Sequence, residues 1–213
     1  MTTPWGRADN RIERARGIAW VSTPGHGGFR LSAERQAALP EPFRSFVPFA
    51  GPGWYEEDCD WCIVVLAFPE EFSDPQAWGF GQDAGKFLSS AERTLRNSFP
   101  GLWEEWTGRK LGPGESHKRS EEEWHTEHAE DWIGVSAWGD WADDVPKGFV
   151  RVTAILGGHN GDDERGRPER RFLVPTEEYA RRDRWGFVID LERHTELTPA
   201  TQQPLRRNAT GGV

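Results

Sequence analysis

The sequence predicts an α+β fold, with an antiparallel sheet in the C-terminal half packed with helices from the middle of the chain. Two observations predict it. Between residues 82 and 132 apolar side chains recur every four positions, the period of a helix face, and after 132 the period drops to two in consecutive β-branched segments. At 213 residues the chain suits one domain, 1–198, with 108–123 as the stretch at which it would divide into two lobes and 199–213 as a flexible tail.

The elements follow in order. "RGIAWVSTPGHGGFRLS" (16–32) reads as two short strands around a Pro/Gly turn, since Gly25, Gly27 and Gly28 suit a tight reversal. Ser32 caps a short helix that Pro40 stops, and 41–53 is an irregular connection rich in Pro, Gly and aromatics. From Asp58 to Phe68 the β-branched run Ile63, Val64, Val65 competes with a helix that would align Trp61, Val65 and Phe68. The helix is preferred, because its first turn would hold the acids that complement the dipole. An amphipathic helix over 82–100 carries Phe87, Ala91, Leu95 and Phe99, Pro100 and Gly101 break it, and "LWEEW" adds a turn or two. The polar segment 108–123 reads as a mobile loop. A helix from Ser120 follows, with Ser120 and Glu123 as a capping box and Trp124, His128 and Trp132 stacked four apart. Strands are expected at 133–138, 148–156, 170–175 and 186–190, with a solvated hairpin tip at 157–168 and a short helix capped by Thr176.

The net charge of −9 is unevenly distributed. Residues 1–52 carry seven basic and four acidic side chains, 53–131 seven and eighteen, and 132–213 twelve and thirteen. An acidic middle third repels phosphate backbones and disfavours nucleic-acid binding, while attracting a basic partner, including a protein that itself binds DNA. The longest apolar run, Cys62 to Phe68, is too short to span a bilayer, and "MTTPWGRADN" has no apolar stretch behind a basic start. A soluble cytoplasmic protein is therefore expected. Twelve tryptophans either share the core or line a groove.

"GWYEEDCDWC" (53–62) concentrates four carboxylates, three aromatics and both cysteines. Glu56, Glu57, Asp58 and Asp60 could supply an acid and a base, since like charges raise one another's pKa, or form the solvated lip of a helix. Trp54 and Tyr55 beside them suit the holding of cationic groups. Cys59 and Cys62 with His125 and His128 make a nominal Cys₂His₂ zinc set, although the Asp-Trp between the cysteines is unlike a zinc knuckle; the alternative is two free thiols and two histidines packed on Trp. His26 in "STPGHGG" could shuttle protons or sit exposed in a turn, and the spacing fits no phosphate-binding loop. No nucleophile–base signature is present.

Taken together, "TPWG" (3–6), "GIAWVSTPGHGGFRLS" (17–32), "GWYEEDCDW" (53–61), "LAFP" (66–69), "LGG" and "RRFLVPTEEY" resemble an uncharacterised domain family of bacteriophages and other mobile elements, over roughly Thr3 to Asp190. The resemblance implies an accessory protein of a phage or plasmid in the bacterial cytoplasm, and no particular reaction. Cys62 departs from the family pattern, in which a small residue such as Ala follows "DCDW", and this weakens the zinc reading. Trp5, Gly27, Gly28, Trp54, Tyr55, Glu56 and Asp60 fall in the matching phrases, as do His26, Glu57 and Asp58.

The reading preferred from sequence is a protein without a cofactor that binds a host or phage protein through an acidic, Trp-rich face, with counter-defence as its setting. An alternative is a small hydrolase or transferase acting on a nucleotide-like substrate, with His26 and Glu57 or Asp58 as its catalytic groups. A virion structural component is a third.

Overall fold

The N-terminal hundred or so residues build a sheet around glycine turns and cover it with helices. The computed structural model describes residues 1–74, 83–158 and 167–197, and the chain divides into two units, Met1–Ser120 and Glu121–Val213. Among the described residues there are six α-helices and three antiparallel sheets, so the fold is α+β.

In the first unit, β1 (Thr2–Thr3) and β2 (Gly6–Arg7) form a small ribbon. β3 (Asn10–Ala15), β4 (Ile18–Ser22), β5 (Gly27–Leu31) and β6 (Trp54–Glu56) follow one another across a four-stranded antiparallel sheet. The Pro/Gly turn between β4 and β5 is closed by the Thr23 amide, which donates to the His26 carbonyl at 2.7 Å. α1 (Ala33–Ala37) is capped by Ser32, whose hydroxyl accepts from the Arg35 amide. A 3-10 turn at Phe43–Ser45 interrupts the irregular connection to β6.

α2 (Trp61–Ala67) settles the competition at 58–68 in favour of a helix, but it begins three residues later than Asp58. Cys62, Ile63, Val64 and Val65 are all buried, so the segment is enclosed on several sides, and packing overrides the β-branched preference for a strand. Its first turn holds no acid: Glu56 ends β6, and Asp60 stands just ahead of the helix with its side chain turned to the Phe49 amide. The expected acidic first turn is thus replaced by an acidic approach. A 3-10 turn at Pro69–Phe72 leads on.

α3 (Ala84–Ser98) is capped by Asp83, whose carboxylate accepts from the Lys86 amide at 2.8 Å, and buries Phe87, Ala91 and Leu95 on one face. Its expected beginning at Gln82 lies outside the described residues. Pro100 starts α4 (Pro100–Thr107), where a missing N–H is harmless, and Gly108 ends it in the left-handed conformation. These helices share one core with the sheet: Ile18, Phe29, Leu31 and Tyr55 meet Ile63, Val65, Leu95 and Trp103. Aromatic rings lock it, with Phe29 edge-on to Phe72 at 5.5 Å and Trp61 stacked on Phe87 at 5.4 Å.

α5 (His117–Glu127) begins one turn earlier than expected and ends before Trp132. The Ser116 hydroxyl accepts from the Arg119 amide at 3.4 Å, while Ser120 donates back to the Ser116 carbonyl; the capping box at Ser120 and Glu123 is not formed. Ahead of it, Glu104 of α4 binds Lys110, Arg119 and the Leu111 amide at 2.6 to 2.9 Å, so the polar segment is laced to a helix.

The second unit is built on β7 (Trp132–Trp138), β8 (Phe149–Leu156), β9 (Glu169–Pro175) and β10 (Thr195–Glu196), in the order β10-β9-β8-β7. Val150 and Val152 of β8 pair with Val174 and Phe172 of β9, and the four join Ala154 and Ile189 in a second core. α6 (Thr176–Tyr179) begins at Thr176, with Pro175 in the cap position and no capping side chain. The expected strand at 186–190 is a correction. It makes one bridge, Val188 to Ile133, flanked by bonds from Gly134 to Phe187 and from Ile189 to Trp132, and then turns away as the Asp190 carbonyl takes the amides of Arg193 and His194. The hairpin tip at 159–166 and the tail from 199 lie outside the described residues.

The shared core of the first unit yields a direct expectation. Leu95 is fully buried between the sheet and the helices, so Leu95→Ala should cost about 2–5 kcal/mol in urea unfolding. A loss below about 1 kcal/mol would mean that α3 is not part of that core.

Candidate functional site

The pairing of β5 with β6 gathers residues that are far apart in the chain. Gly28 lies opposite Glu56, Phe29 opposite Tyr55 and Arg30 opposite Trp54. Beyond the strands the ladder continues: the Glu57 amide donates to the Gly27 carbonyl at 2.9 Å, and the Gly27 amide donates to the Glu57 carboxylate at 3.0 Å. Gly28 is required by space. A Cβ there would run into the Tyr55 carbonyl and lie 2.7 Å from the Trp5 ring.

Trp5 covers that glycine and meets Trp54 edge to face, with ring centroids 5.6 Å apart and planes at 81°. It is held in place by Thr3, whose hydroxyl accepts from the Trp5 amide at 3.2 Å and donates to the Gly6 carbonyl at 2.8 Å. The Arg30 guanidinium lies 4.9 Å from the centre of the Trp54 ring and donates to the Gly53 carbonyl at 3.1 Å. Gly53 has φ +80°, and a Cβ on it would strike the Arg30 guanidinium. Trp5, Gly27, Gly28, Trp54 and Glu56 therefore converge on one edge of the sheet. Strand alternation turns Tyr55 the other way, into the core.

The acids divide into two groups. Glu57 and Asp58 are exposed and Glu56 is half-buried, whereas Asp60 is fully buried and accepts from the Phe49 amide at 2.9 Å. Burial, aided by the charge of Glu56, pushes the Asp60 carboxyl up to about 6 against the pull of the Phe49 bond. Burial and then the Asp60 charge push the Tyr55 phenol up to about 12, and its buried hydroxyl has no hydrogen-bond partner among the described residues. Burial, then Asp60 and Glu56, push the Cys59 thiol up to about 12, and burial raises Cys62 further. The stretch read as a solvated lip is thus half surface and half core.

His26 is exposed in the turn, fixed through its backbone to Thr23, and its ring makes no hydrogen bond or ion pair among the described residues. The Glu57 carboxylate is engaged by the Gly27 amide. Both cysteines are free. In the second unit His128 lies 2.7 Å from Asp131 and 4.5 Å from the Trp124 ring, and His125 stands edge-on to the same ring. Among the described residues no three His, Cys, Asp or Glu side chains gather as ligands for a metal ion, and no helix is long and apolar enough to cross a membrane.

His194 was not singled out from sequence. It is buried, accepts from the Asp190 amide at Nδ1 (3.0 Å) and faces Glu178 through Nε2 (3.2 Å), with Arg193 bonded to the same carboxylate at 2.7 Å. Nδ1 accepts, so Nε2 carries the proton and donates to Glu178. With both nitrogens engaged, the imidazole braces the turn after Asp190.

A family model described as a domain of unknown function (DUF7007) matches residues 1–129, a span that contains every site residue proposed from sequence. No curated protein and no solved structure matches the chain.

Two expectations follow. An acid whose pKa is higher folded than unfolded binds its proton more tightly in the native state. The stabilisation from Asp60 protonation is therefore full below its ordinary value of 3.8 and is lost as pH rises towards about 6. The loss is at most about 3 kcal/mol. Urea unfolding across this window should show that slope in the wild type and not in Asp60→Asn; an equal slope in both would assign it to other groups. Cys59, half-buried beside Asp60 and Glu56, should react with a disulfide reagent at pH 8 at least about a hundredfold more slowly than free cysteine, because little thiolate forms, and normal reactivity would contradict the upward shift of its thiol.

Proposed function

We propose, from the premise that this chain belongs to the DUF7007 family, that it is a binding protein whose acidic, Trp-rich sheet edge captures a basic protein partner. The observation that carries this reading is the Trp5–Trp54 pair. Two large aromatics meet edge to face on a seat that only glycine permits, on the strand that ends at Glu56 and runs on to the exposed Glu57 and Asp58. Tryptophans on a rigid support lose little freedom on binding and commonly anchor interfaces. The chain's own Arg30 guanidinium, close to Trp54, is of the chemistry such a face would take from a partner. The acidic middle third supplies long-range attraction for a basic partner and repels nucleic acid.

Catalysis draws less support from the same geometry. Among the described residues the His26 ring is not hydrogen-bonded to a carboxylate, and Glu57 is engaged by the backbone of Gly27. The biological setting we propose comes from the sequence resemblance: an accessory protein of a phage or mobile element that acts in the bacterial cytoplasm on a host or phage protein, in counter-defence.

The test is capture of partners from infected host cells by the tagged protein, in low and high salt. A genuine partner should be basic and salt-sensitive, and Trp54→Ala and Asp58→Asn should each weaken its capture, the tryptophan by about thirtyfold or more. Capture that is indifferent to both substitutions, in variants with native circular dichroism, would remove this edge as the binding face.

A further inference from the structure

In the second unit a cavity of about 450 Å³ lies where α5 gives way to the sheet. It is lined by Ala129, Trp132, Ile155 and Leu156, with Arg167 and Pro168 arriving from the start of β9. The volume falls in the range of small-molecule sites. Its corner is fixed by main chain. The Gly157 amide donates to the Asp131 carbonyl at 2.8 Å, Gly157 and Gly158 have φ of +71° and +67°, and a Cβ on Gly157 would lie 2.9 Å from the Ala129 carbonyl. Such a corner is formed before any ligand arrives.

The chemistry of the walls is one-sided. Carbon surface dominates, Leu156 remains 47 % exposed, and Arg167 brings a positive charge. Arg167 uses one bond, from Nη1 to the Gly158 carbonyl at 3.2 Å, and no carboxylate pairs with it among the described residues. Arg170, by contrast, is paired with Glu196 through both nitrogens of its fork and lies 4.8 Å from the Trp132 ring, so its charge is compensated and its stem is committed to the sheet. An apolar cavity beside a guanidinium that no described carboxylate pairs with fits an anion attached to an apolar body, because a guanidinium presents parallel donors that match the two oxygens of a carboxylate.

From this arrangement we infer that the cavity binds a small organic acid of one or two fused rings, its carboxylate on Arg167 and its rings against Trp132, Ile155 and Leu156. This site is independent of the sheet edge of the first unit.

The experiment uses indole-3-acetate and its neutral counterpart indole-3-acetamide, titrated into the full-length protein. The indole N–H resonance of Trp132, assigned from the spectrum of Trp132→Phe, reports binding. The acid should shift it with an affinity about tenfold or more above that of the amide. Arg167→Gln should bring acid and amide to the same weak affinity, and Ala129→Trp, at an exposed position on the cavity wall, should abolish both shifts while the rest of the spectrum stays native. A Trp132 resonance unmoved by millimolar acid would overturn the inference. So would equal affinity for acid and amide, or wild-type binding by a natively folded Ala129→Trp.

Discussion

The close approach of β5 to β6 is the constraint on which the first unit depends. Gly28 leaves no volume between the two strands, so the Tyr55 carbonyl and the Glu56 backbone come within a distance that any side chain would forbid. That approach sets the register, and the register decides which face each residue takes. Phe29 and Tyr55 turn inward to meet α2 and α3, while Trp54 and Glu56 turn outward beneath Trp5. A slip of one residue would put the aromatic edge in the core and the core tyrosine in water. Core and surface are therefore two consequences of one backbone contact.

The carboxylate of Asp60 is the second determinant. It ties the Phe49 amide to the start of α2 and so closes the long connection between α1 and the helix, although a buried charge opposes folding. Tyr55 shares that burial with its hydroxyl unbonded among the described residues. The site is polar beneath its surface as well as on it, and the acids of "GWYEED" and "CDW" differ in kind: the first group meets solvent and the last member meets the core.

What could be read from sequence depended on how local the determining interaction is. α3 was legible because its cap and its apolar face lie within its own sequence, from Asp83 to Leu95. The glycine hairpin was legible for the same reason. β3 was not, because "NRIERA" has only Ile12 and Ala15 as apolar residues, at no strand period, and Ile12 is exposed; its strand character comes from pairing with β4. β6 is three residues long and exists through its partner. The segment 186–190 shows the opposite error: Phe187 and Ile189 alternate because they pack into a core, without a ladder to accompany them. α5 began early because Ser116, one turn before Ser120, had the better-placed hydroxyl. As for the site, glycines, tryptophans and acids were recognisable by type, but the burial that separates Asp60 from Asp58 depends on a contact with Phe49 that no spacing rule contains.

Gly53 carries one more implication. It is buried and has no side chain to show a partner, yet its carbonyl and its empty Cβ position hold the Arg30 guanidinium in place near Trp54. The charge next to the outward tryptophan is therefore governed by a main-chain position that an inventory of exposed residues would omit. Evolution or engineering could retune what this surface prefers to touch without altering a single residue on it.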